Sequence, residues 1–294
     1  MSQYSGKTIV VSGGAEGIGF GIAQAMGKQG MNVVLGDIDT TQLEVARTTL
    51  ENENINVLTV QMDVTKIDQW QNLADQAIKR FGKIHMLVNN AGVGSNPGPI
   101  EKTDDKDWRW VIDVNLMGVL YGTQTIVPLM KLHDEKCWLI NVASMAGMLG
   151  VPTAGAYTAT KVAVVGMSES WYAELKPHNI QVSVLCPAFV KTRINLSNRN
   201  KPEALKSEKE RNVNNTSSAA KHMQKVLDNG LPPSVVGERV VEAINNNELY
   251  IFTHPNYRKV VQRRFKYIDE AFARSAESPL LVDVLNEEVD NYAD

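Results

Sequence analysis

Seven short runs of apolar, largely β-branched residues recur along this chain, and longer segments of helical character separate them. The runs cover residues 7–12, 32–36, 56–61, 84–88, 137–142, 180–185 and 249–252. The segments between them are long enough for the crossover helices that parallel strands need. This alternation predicts an α/β protein whose parallel sheet of about seven strands carries helices on both faces. With 294 residues of 43% hydrophobic composition and no linker, we predict a single domain over residues 1–294.

The first run leads directly into a glycine-rich turn. Ser12 is followed by Gly13-Gly-Ala-Glu-Gly17-Ile18-Gly19 and then by an amphipathic stretch with helical spacing. Glycines let a backbone approach a pyrophosphate closely, and a helix N-terminus offers oriented N–H groups and a positive dipole end. The spacing G-x-x-x-G-x-G differs from the common G-x-G-x-x-G form. Its position between a strand and a helix predicts a dinucleotide site on a Rossmann-type, doubly wound sheet.

The second run ends in Asp37, eighteen residues beyond Gly19. A carboxylate at about this distance accepts hydrogen bonds from the adenosine ribose in dinucleotide-binding folds, although an Asp in this position could equally cap a helix. Glu16 and Asp39 add negative charge nearby, and no Lys or Arg occurs between Lys28 and Arg47. A 2′-phosphate would meet like charge there, so the sequence favours NAD over NADP.

Tyr157 and Lys161 are one helical turn apart, and Ser144 precedes them by thirteen residues. Residues at i and i+4 share a helix face, so the Lys161 ammonium can lie beside the Tyr157 hydroxyl. A nearby cation favours the phenolate and lowers the pKa of the hydroxyl. An exposed Tyr–Lys helix pair is the ordinary alternative. With Ser144 hydrogen-bonding the reacting oxygen, the trio predicts proton transfer at an alcohol or a carbonyl.

The bulk composition argues against several other classes of protein. A formal charge of −3 gives no support to nucleic-acid binding, and no apolar run is long enough to span a bilayer. Cys137 and Cys186 both fall in predicted buried strands, as expected of core residues in a reducing compartment, so we expect a cytoplasmic protein. The five histidines show no metal-binding spacing, and we expect no metal in the chemistry.

As a set, these motifs resemble those of a short-chain dehydrogenase/reductase of the single-domain branch, over residues 5 to about 255. Asn89-Asn90-Ala91-Gly92 and Asn115 add to the likeness. The departures are Ala188, where glycine is usual, and extra length at 195–232 and after 255. Short sequence segments at residues 100–103, 114–119 and 249–255 are similar to those of bacterial dehydrogenases of aryl and other bulky secondary alcohols.

The resemblance implies a role for each matched position. The implied cofactor contacts are Gly13, Gly17, Ile18, Gly19, Asp37, Ile38, Asp63, Val64, Asn90, Ala91, Gly92, Tyr157, Lys161, Pro187, Val190 and Thr192. Tyr157 would be the general acid/base, and Ser144 would orient the substrate oxygen. Lys161 would bind the nicotinamide ribose and lower the Tyr157 pKa, and Asn115 would hold a water that links Lys161 to solvent. A homodimer or homotetramer is also implied.

The substrate should meet the loops at the carboxyl ends of the strands. The candidate substrate contacts are Ser144, Met145, Ala154, Tyr157 and Phe189. The loops are mostly apolar, and their possible carboxylate partners, Lys191 and Arg193, flank the cofactor stretch instead. We therefore predict that the enzyme oxidises a bulky, uncharged secondary alcohol, apolar or aromatic, or reduces the matching ketone, with NAD as cofactor.

Two segments lie outside the common core. Residues 195–232 are polar, with helical patches near 202–211 and 217–228, and their position predicts a substrate lid. Residues 255–294 form a predicted helical extension, whose stretch 257–275 places Val261, Phe265, Ile268 and Phe272 on one helical face among basic residues. A basic amphipathic helix can dock on membranes, but we expect a surface helix whose apolar side lies on the protein.

Two other functions compete with this interpretation. One is an NADPH-dependent carbonyl or 3-oxoacyl reductase on the same scaffold. The other is a catalytically silent protein that senses a dinucleotide and recruits a partner. The presence of Ser144, Tyr157, Lys161 and Asn115 together counts against a sensor, which has no need of all four.

Overall fold

A computed structural model of the chain describes residues 2–206 and 218–289, with side chains described in the second range from residue 223 onward. The chain forms two compact units, one from Met1 to Thr253 and one from His254 onward. The second unit begins about where the helical extension was predicted to begin. The single-domain organisation therefore stays a prediction.

The first unit is built on one parallel sheet of seven strands in the order β3-β2-β1-β4-β5-β6-β7. The strands are β1 (Thr8–Ser12), β2 (Asn32–Asp37), β3 (Val57–Gln61), β4 (Met86–Asn89), β5 (Cys137–Val142), β6 (Ile180–Cys186) and β7 (Tyr250–Phe252). All seven predicted runs are strands, and the predicted Rossmann-type α/β fold is confirmed. The order reverses between β1 and β4, and such a switch point opens a crevice at the carboxyl edge of the sheet.

Helices of the first unit connect the strands and cover both faces of the sheet. They are α1 (Gly17–Lys28), α2 (Thr40–Asn52), α3 (Ile67–Phe81), α4 (Asp105–Ile112), α5 (Gly118–Met130), α6 (Gly155–Leu175), α7 (Ser218–Asp228) and α8 (Pro233–Asn245). The second unit contains the helix α9 (Arg258–Ala276). The predicted helical patch at 217–228 corresponds to α7. The patch at 202–211 is described only to residue 206, with a short 3₁₀ helix at Glu203–Leu205. The rest of it lies outside the described residues, and the lid stays a prediction.

Two apolar cores, one on each face, hold the sheet between the helices. Alternate residues of a strand point to opposite faces, so Val11 belongs to one core and Val10 to the other. Trp138 fills the first core against Tyr4, and Trp70 fills the second. Both cysteines are buried and free, as predicted.

Helix α9 of the second unit covers Arg258–Ala276, and none of its residues is buried. That its apolar side lies on the protein stays a prediction. Within the described residues, no helix combines the length and the apolar character that crossing a membrane requires.

Helices α1 and α8 cross at a pair of glycines in the first unit. A methyl group at Gly237 would lie 2.2 Å from the carbonyl oxygen of Gly21. The two backbones therefore touch, and a side chain at this point would have to push them apart. The crossing matters for the site because α1 begins at the glycine-rich turn.

We expect Gly237→Ala to lower the free energy of unfolding by ~2 kcal/mol, because overpacking a tight contact forces backbone shifts. Gly166→Ala is the matched control: this helical glycine has nothing within 4 Å of an added methyl group, and the change should stabilise the protein by up to about 1 kcal/mol. Urea denaturation of both variants measures the difference. Equal stability of the two variants would contradict the close crossing.

Candidate functional site

A cavity of about 430 Å³ opens at the carboxyl edge of the sheet. The predicted cofactor residues line it almost completely. The lining includes Gly13, Gly17, Ile18, Asp37, Ile38, Asp63, Val64, Asn90, Ala91, Gly92, Tyr157, Lys161, Pro187, Val190 and Thr192. Parallel strands end at the same edge, so residues far apart in the sequence meet here. Gly19 is the one member of the predicted set outside this lining.

The glycine-rich turn owes its shape to close contacts with the loop after β4. Gly13 and Gly17 have φ values of +61° and +58°, where a side chain is strained. A methyl group at Gly19 would lie 2.3 Å from the carbonyl oxygen of Gly13, so Gly19 serves packing rather than the cavity wall. Asn90 Nδ2 donates to the carbonyl oxygens of Ser12 at 3.0 Å and Gly13 at 2.8 Å. The amide of Asn90 thus fixes the turn.

Glu16, inside the turn, forms ion pairs that the sequence did not reveal. Its carboxylate accepts hydrogen bonds from Arg193 and Arg199, which follow β6. Arg193 Nη2 also lies 3.8 Å from Asp39 Oδ2. The sequence argument for NAD assumed that no cation lies near these acids, and that assumption is wrong in three dimensions. Arg193 is nevertheless paired with Glu16, so its charge is largely compensated.

Asp37 ends β2 at the far side of the turn. Its carboxylate accepts the backbone N–H groups of Ala15 at 3.1 Å and Asp39 at 3.0 Å. Burial raises the pKa of Asp37 above its usual value, and these N–H groups partly offset the rise. The bonds orient the carboxylate toward the cavity that it lines.

These residues fit a nicotinamide dinucleotide. Helix α1 begins at Gly17, and the Glu16 side chain at its N-cap bonds the two arginines instead of capping the helix. The first-turn N–H groups therefore keep their capacity for an anionic ligand. The glycine turn could hold a pyrophosphate, Asp37 a ribose, and Asp63 with Val64 an adenine ring. The polar trio lies in the same cavity.

Ser144, Tyr157 and Lys161 are brought together by β5 and α6. Ser144 follows β5, where its Oγ accepts the N–H of Ala146 at 3.1 Å and so caps a short 3₁₀ helix. Ser144 is also close enough to Tyr157 to lower the pKa of the tyrosine hydroxyl. Lys161 Nζ lies 5.6 Å from the centroid of the Tyr157 ring and donates to the carbonyl oxygen of Val142 at 2.9 Å. The trio shares one end of the cavity.

Burial dominates the electrostatics of the trio. Burial raises the pKa of Tyr157, and the interaction with Ser144 offsets only part of this rise. Burial also lowers the pKa of Lys161 to about 8. In the chain without cofactor, the pKa of Tyr157 is therefore shifted in the direction opposite to the one predicted from its spacing to Lys161, because desolvation dominates.

Asn115 lies beside Lys161 in an unusual backbone. The segment Asp113–Met117 is a π-helix between α4 and α5, a feature frequent at functional sites. Asn115 Oδ1 accepts the N–H of Val93 at 2.8 Å, and its Nδ2 donates to the carbonyl oxygen of Val93 at 2.9 Å. A methyl group at Gly92 would lie 3.4 Å from Asn115 Oδ1 and 3.5 Å from Lys161 Nζ. Through its two bonds to Val93, Asn115 fixes the loop after β4, whose Gly92 lies close to both Asn115 and Lys161.

The proposed substrate end of the cavity has walls from several segments, and the sequence did not indicate Trp110, Val114, Pro202 and Leu205 among them. Besides Ser144 and Tyr157, its lining includes Val93, Trp110, Val114, Ile194, Pro202 and Leu205. Met145, Ala154 and Phe189 lie outside the lining that the described residues form. Met145 is buried, and Phe189 is 39% exposed. Ala188 does line the cavity and is not among the residues with positive φ, so the backbone there does not demand the usual glycine.

A buried ion pair lies behind this wall. Lys201 Nζ contacts Asp107 Oδ1 at 3.0 Å, and the two side chains are 1% and 5% exposed. Asp107 also accepts hydrogen bonds from the backbone and side-chain nitrogens of Asn96, and Lys201 lies over the Trp110 ring at 5.5 Å. The pair joins the segment after β6 to α4. Its partners are ninety-four residues apart, so no local pattern predicts it.

A second polar cluster lies at the opposite edge of the sheet. Atoms of His85, His133 and Glu135 that could bind a metal lie within 4.8 Å of one another. His85 Nδ1 accepts the N–H of Thr8, so the neutral ring carries its proton on Nε2 and donates to Glu135 at 3.1 Å. Burial lowers the pKa of His85 to about 4. Lys7 and Lys83 also bind Glu135, so hydrogen bonds and ion pairs already hold this cluster together.

Comparisons with known proteins agree with this site. The family model described as short chain dehydrogenase matches residues 7–203. The chain belongs to the short-chain dehydrogenase/reductase family. In this family the cavity is the place of a nicotinamide dinucleotide, and the protein is an oxidoreductase.

Three relatives of this short-chain dehydrogenase/reductase illustrate the range of the family. A dehydrogenase/reductase of CLA biosynthesis from Lactiplantibacillus plantarum is 31% identical, over 91% of this chain and 95% of its own. A 3-alpha-(or 20-beta)-hydroxysteroid dehydrogenase from Mycobacterium tuberculosis is 39% identical, over 64% and 70%. The crystal structure of a short-chain dehydrogenase/reductase from Burkholderia phymatum in complex with NAD has a TM-score of 0.86 and 37% identity, over 92% and 97%.

The buried Lys161 predicts a pH dependence of stability. Its pKa in the folded chain is about 8, below the ordinary 10.5, so the folded state binds fewer protons than the unfolded state between these values. Stability should therefore rise with pH across this window. Relative to Lys161→Met, the wild type should gain about 2 kcal/mol between pH 7 and pH 10.

Denaturant unfolding of the cofactor-free proteins across that pH range measures this difference. The comparison with Lys161→Met removes the contributions of all other titrating groups that the two proteins share. A difference that does not change with pH would show that the ammonium is solvated in the folded state.

Proposed function

We propose that this short-chain dehydrogenase/reductase transfers a hydride between NAD and a bulky, uncharged secondary alcohol or its ketone. The observation that carries the proposal is one cavity that contains both the glycine turn with Asp37 and the side chains of Ser144, Tyr157 and Lys161. A dinucleotide-binding crevice alone would serve a sensor equally well. Buried proton-transfer groups in the same crevice favour catalysis.

Tyr157 is proposed to exchange the proton of the substrate oxygen. A bound nicotinamide would supply or accept the hydride. In the oxidising direction the phenolate of Tyr157 removes the hydroxyl proton, and in the reducing direction the phenol returns it. The Ser144 hydroxyl lowers the pKa of Tyr157 and lines the same cavity, so it is suited to orient a substrate oxygen. Donors held in place cost no reorganisation when charge develops.

Lys161 and Asn115 are proposed to support Tyr157. Both charge states of the Lys161 amine are accessible near neutrality, because its pKa is about 8. The positive charge of a bound oxidised nicotinamide would add to that of Lys161 in lowering the Tyr157 pKa. Asn115 Oδ1 retains a lone pair beyond its bond to Val93, with which it can hold a water near Lys161.

The choice of NAD rests on Asp37. Its half-buried carboxylate is oriented by two backbone N–H groups toward the cavity and would accept hydrogen bonds from a ribose. A 2′-phosphate in the same place would face that carboxylate and Asp39. Arg193 is the cation that lies near Asp39, and Glu16 already binds it.

An uncharged substrate fits the pairing of the cations near the cavity. Arg193 and Arg199 bind Glu16, and Lys201 binds Asp107, so these three cations are engaged away from a substrate anion. Trp110, Leu205 and Val93 give the substrate end an apolar lining. The hydroxysteroid dehydrogenase among the relatives acts, by its name, on a bulky hydroxylated substrate. This likeness supports the size of the proposed alcohol.

Replacing Tyr157 by Phe tests the proposed proton transfer. We expect turnover to fall by about 10²–10⁴-fold, which is the usual contribution of a general acid/base, while dinucleotide binding persists. Tyr172→Phe, in the same helix but outside the cavity lining, should behave as the wild type. Suitable substrates come from a panel of secondary alcohols and ketones, followed by the absorbance of the reduced cofactor. Wild-type turnover by Tyr157→Phe would refute the assignment.

Titration with NADH and NADPH, followed by protein fluorescence, tests the cofactor proposal. We expect NADH to bind at least about tenfold more tightly, which corresponds to about 1.4 kcal/mol of repulsion between a 2′-phosphate and the acids. Tighter binding of NADPH would overturn the Asp37 argument and favour the carbonyl or 3-oxoacyl reductase. If Arg193→Gln then weakened NADPH alone, Arg193 would be identified as its phosphate contact. A protein that binds either cofactor but turns over no member of the panel would point to the sensor.

A further inference from the structure

Trp110 is the largest side chain in the lining of the proposed substrate end. Helix α4 carries two tryptophans, Trp108 and Trp110. Trp110 lines the cavity and is 4% exposed. Trp108 is half-buried outside this lining, where its Nε1 donates to Thr103 Oγ1 at 3.0 Å. Of the two rings, Trp110 is therefore the one that a substrate would meet.

The Trp110 ring lies at the same end of the cavity as the groups proposed to react. It belongs to one apolar cluster with Val93 and Ala156. Ala156 immediately precedes Tyr157, and Val93 is held by both side-chain bonds of Asn115. A substrate that brings its oxygen to Tyr157 therefore shares this end of the cavity with the indole ring.

The ring has little freedom to move aside. Lys201 Nζ lies 5.5 Å from the centroid of the Trp110 ring and contacts Asp107 Oδ1 at 3.0 Å. The Lys201 and Asp107 side chains are 1% and 5% exposed, and Asn96 donates two further hydrogen bonds to Asp107. Separating the two charges would leave each of them buried without a partner, which is costly. Because a cation attracts an aromatic face, the fixed ammonium holds the ring in the wall.

We propose that Trp110, held by the Lys201–Asp107 pair, is a specificity-determining residue that sets the upper size of the substrate. A flexible side chain such as methionine adapts to ligands of different shape, whereas a wall held in place excludes what it cannot accommodate. A single methylene group changes kcat/KM in an apolar pocket by about 10–200-fold. Leu205 packs against the same cluster and lines the same cavity, so it shares in the limit. The inference rests on the proposed function, because it concerns the alcohol that this site would oxidise.

A graded series of secondary alcohols tests the size limit. Its members are the alcohols of acetophenone and of acetophenones with para substituents of growing size, up to the first that the wild type turns over poorly. We expect Trp110→Leu to raise kcat/KM for that member, relative to the unsubstituted alcohol, by at least about tenfold. A purely structural role would lower kcat/KM for all members alike. An unchanged ratio in Trp110→Leu would overturn the proposal.

Two further variants control this experiment. Trp108→Leu makes the same change in the same helix outside the cavity lining, and it should keep the wild-type ratio. Leu205→Ala removes part of the wall at a half-buried residue, and it should move the ratio in the same direction as Trp110→Leu. If Trp110→Leu does not fold, an unchanged ratio in Leu205→Ala overturns the proposal.

Binding without turnover separates the size limit from the proposed function. The matching ketones cannot react with oxidised NAD, so their affinity for the NAD-loaded protein, measured by calorimetry, reports the size limit alone. If the wild type turns over no alcohol but Trp110→Leu binds the larger ketone more tightly relative to acetophenone, the proposed function fails and the size limit stands. Turnover of the series with the wild-type limit in Trp110→Leu refutes the size limit alone. Absence of ketone binding by both proteins overturns both.

The double variant Lys201→Met/Asp107→Asn tests the part played by the ion pair. It removes both charges at similar side-chain volume, so neither charge is left buried without a partner. Without the fixed ammonium the ring can yield to a larger substituent, and we expect the ratio to move in the direction of Trp110→Leu. The KM for NAD should stay unchanged, because neither residue lines the cavity. A wild-type ratio in the double variant would refute the role of the pair.

Discussion

Burial of the Lys161 ammonium is the constraint on which the rest of the site depends. The side chain is almost fully enclosed, and its one backbone acceptor at hydrogen-bonding distance is the Val142 carbonyl oxygen at the end of β5. Removing a charge from water without a paired anion is costly, and here the cost appears as a lowered pKa. The surrounding fold must supply that free energy. The apolar cores on the two faces of the sheet hold β5 and α6 in place and so offset the cost of burying Lys161.

The same burial explains why the state of Tyr157 could not be read from the sequence. The i, i+4 spacing correctly placed Lys161 near the Tyr157 ring, and from this spacing we expected a lowered tyrosine pKa. The structure adds the desolvation of both groups, which reverses the direction for the chain alone. The spacing of residues in the sequence predicts which groups come together. Their exposure to water depends on residues far away in the sequence, which the spacing does not include. The positive charge of a bound oxidised nicotinamide would be a further contribution to the Tyr157 pKa.

The fold was far more predictable than the contacts across it. Periodicity located the strands, because a buried parallel strand needs a continuous apolar run, and the glycine turn followed from backbone geometry. In contrast, the pairs Lys201–Asp107 and Glu16–Arg193 join residues 94 and 177 positions apart. Ordinary charged residues carry no local signal of their partners. The substrate wall was missed for the same reason, since Trp110 and Leu205 come from segments that meet only after folding.

The ion pairs made by Glu16 and by Lys201 differ in their exposure to water. This difference predicts which end of the segment after β6 separates first from the rest of the protein. The Glu16 side chain is 30% exposed and its two arginines are 40% and 31% exposed, whereas the pair at Lys201 is almost dry. Dissolved ions weaken contacts between exposed charges far more than contacts between buried ones. The segment 193–206 should therefore loosen first beside the glycine-rich turn when the salt concentration rises, while the buried pair of Lys201 and Asp107 keeps its other end in place. Exchange of a bound dinucleotide would then be faster at high salt.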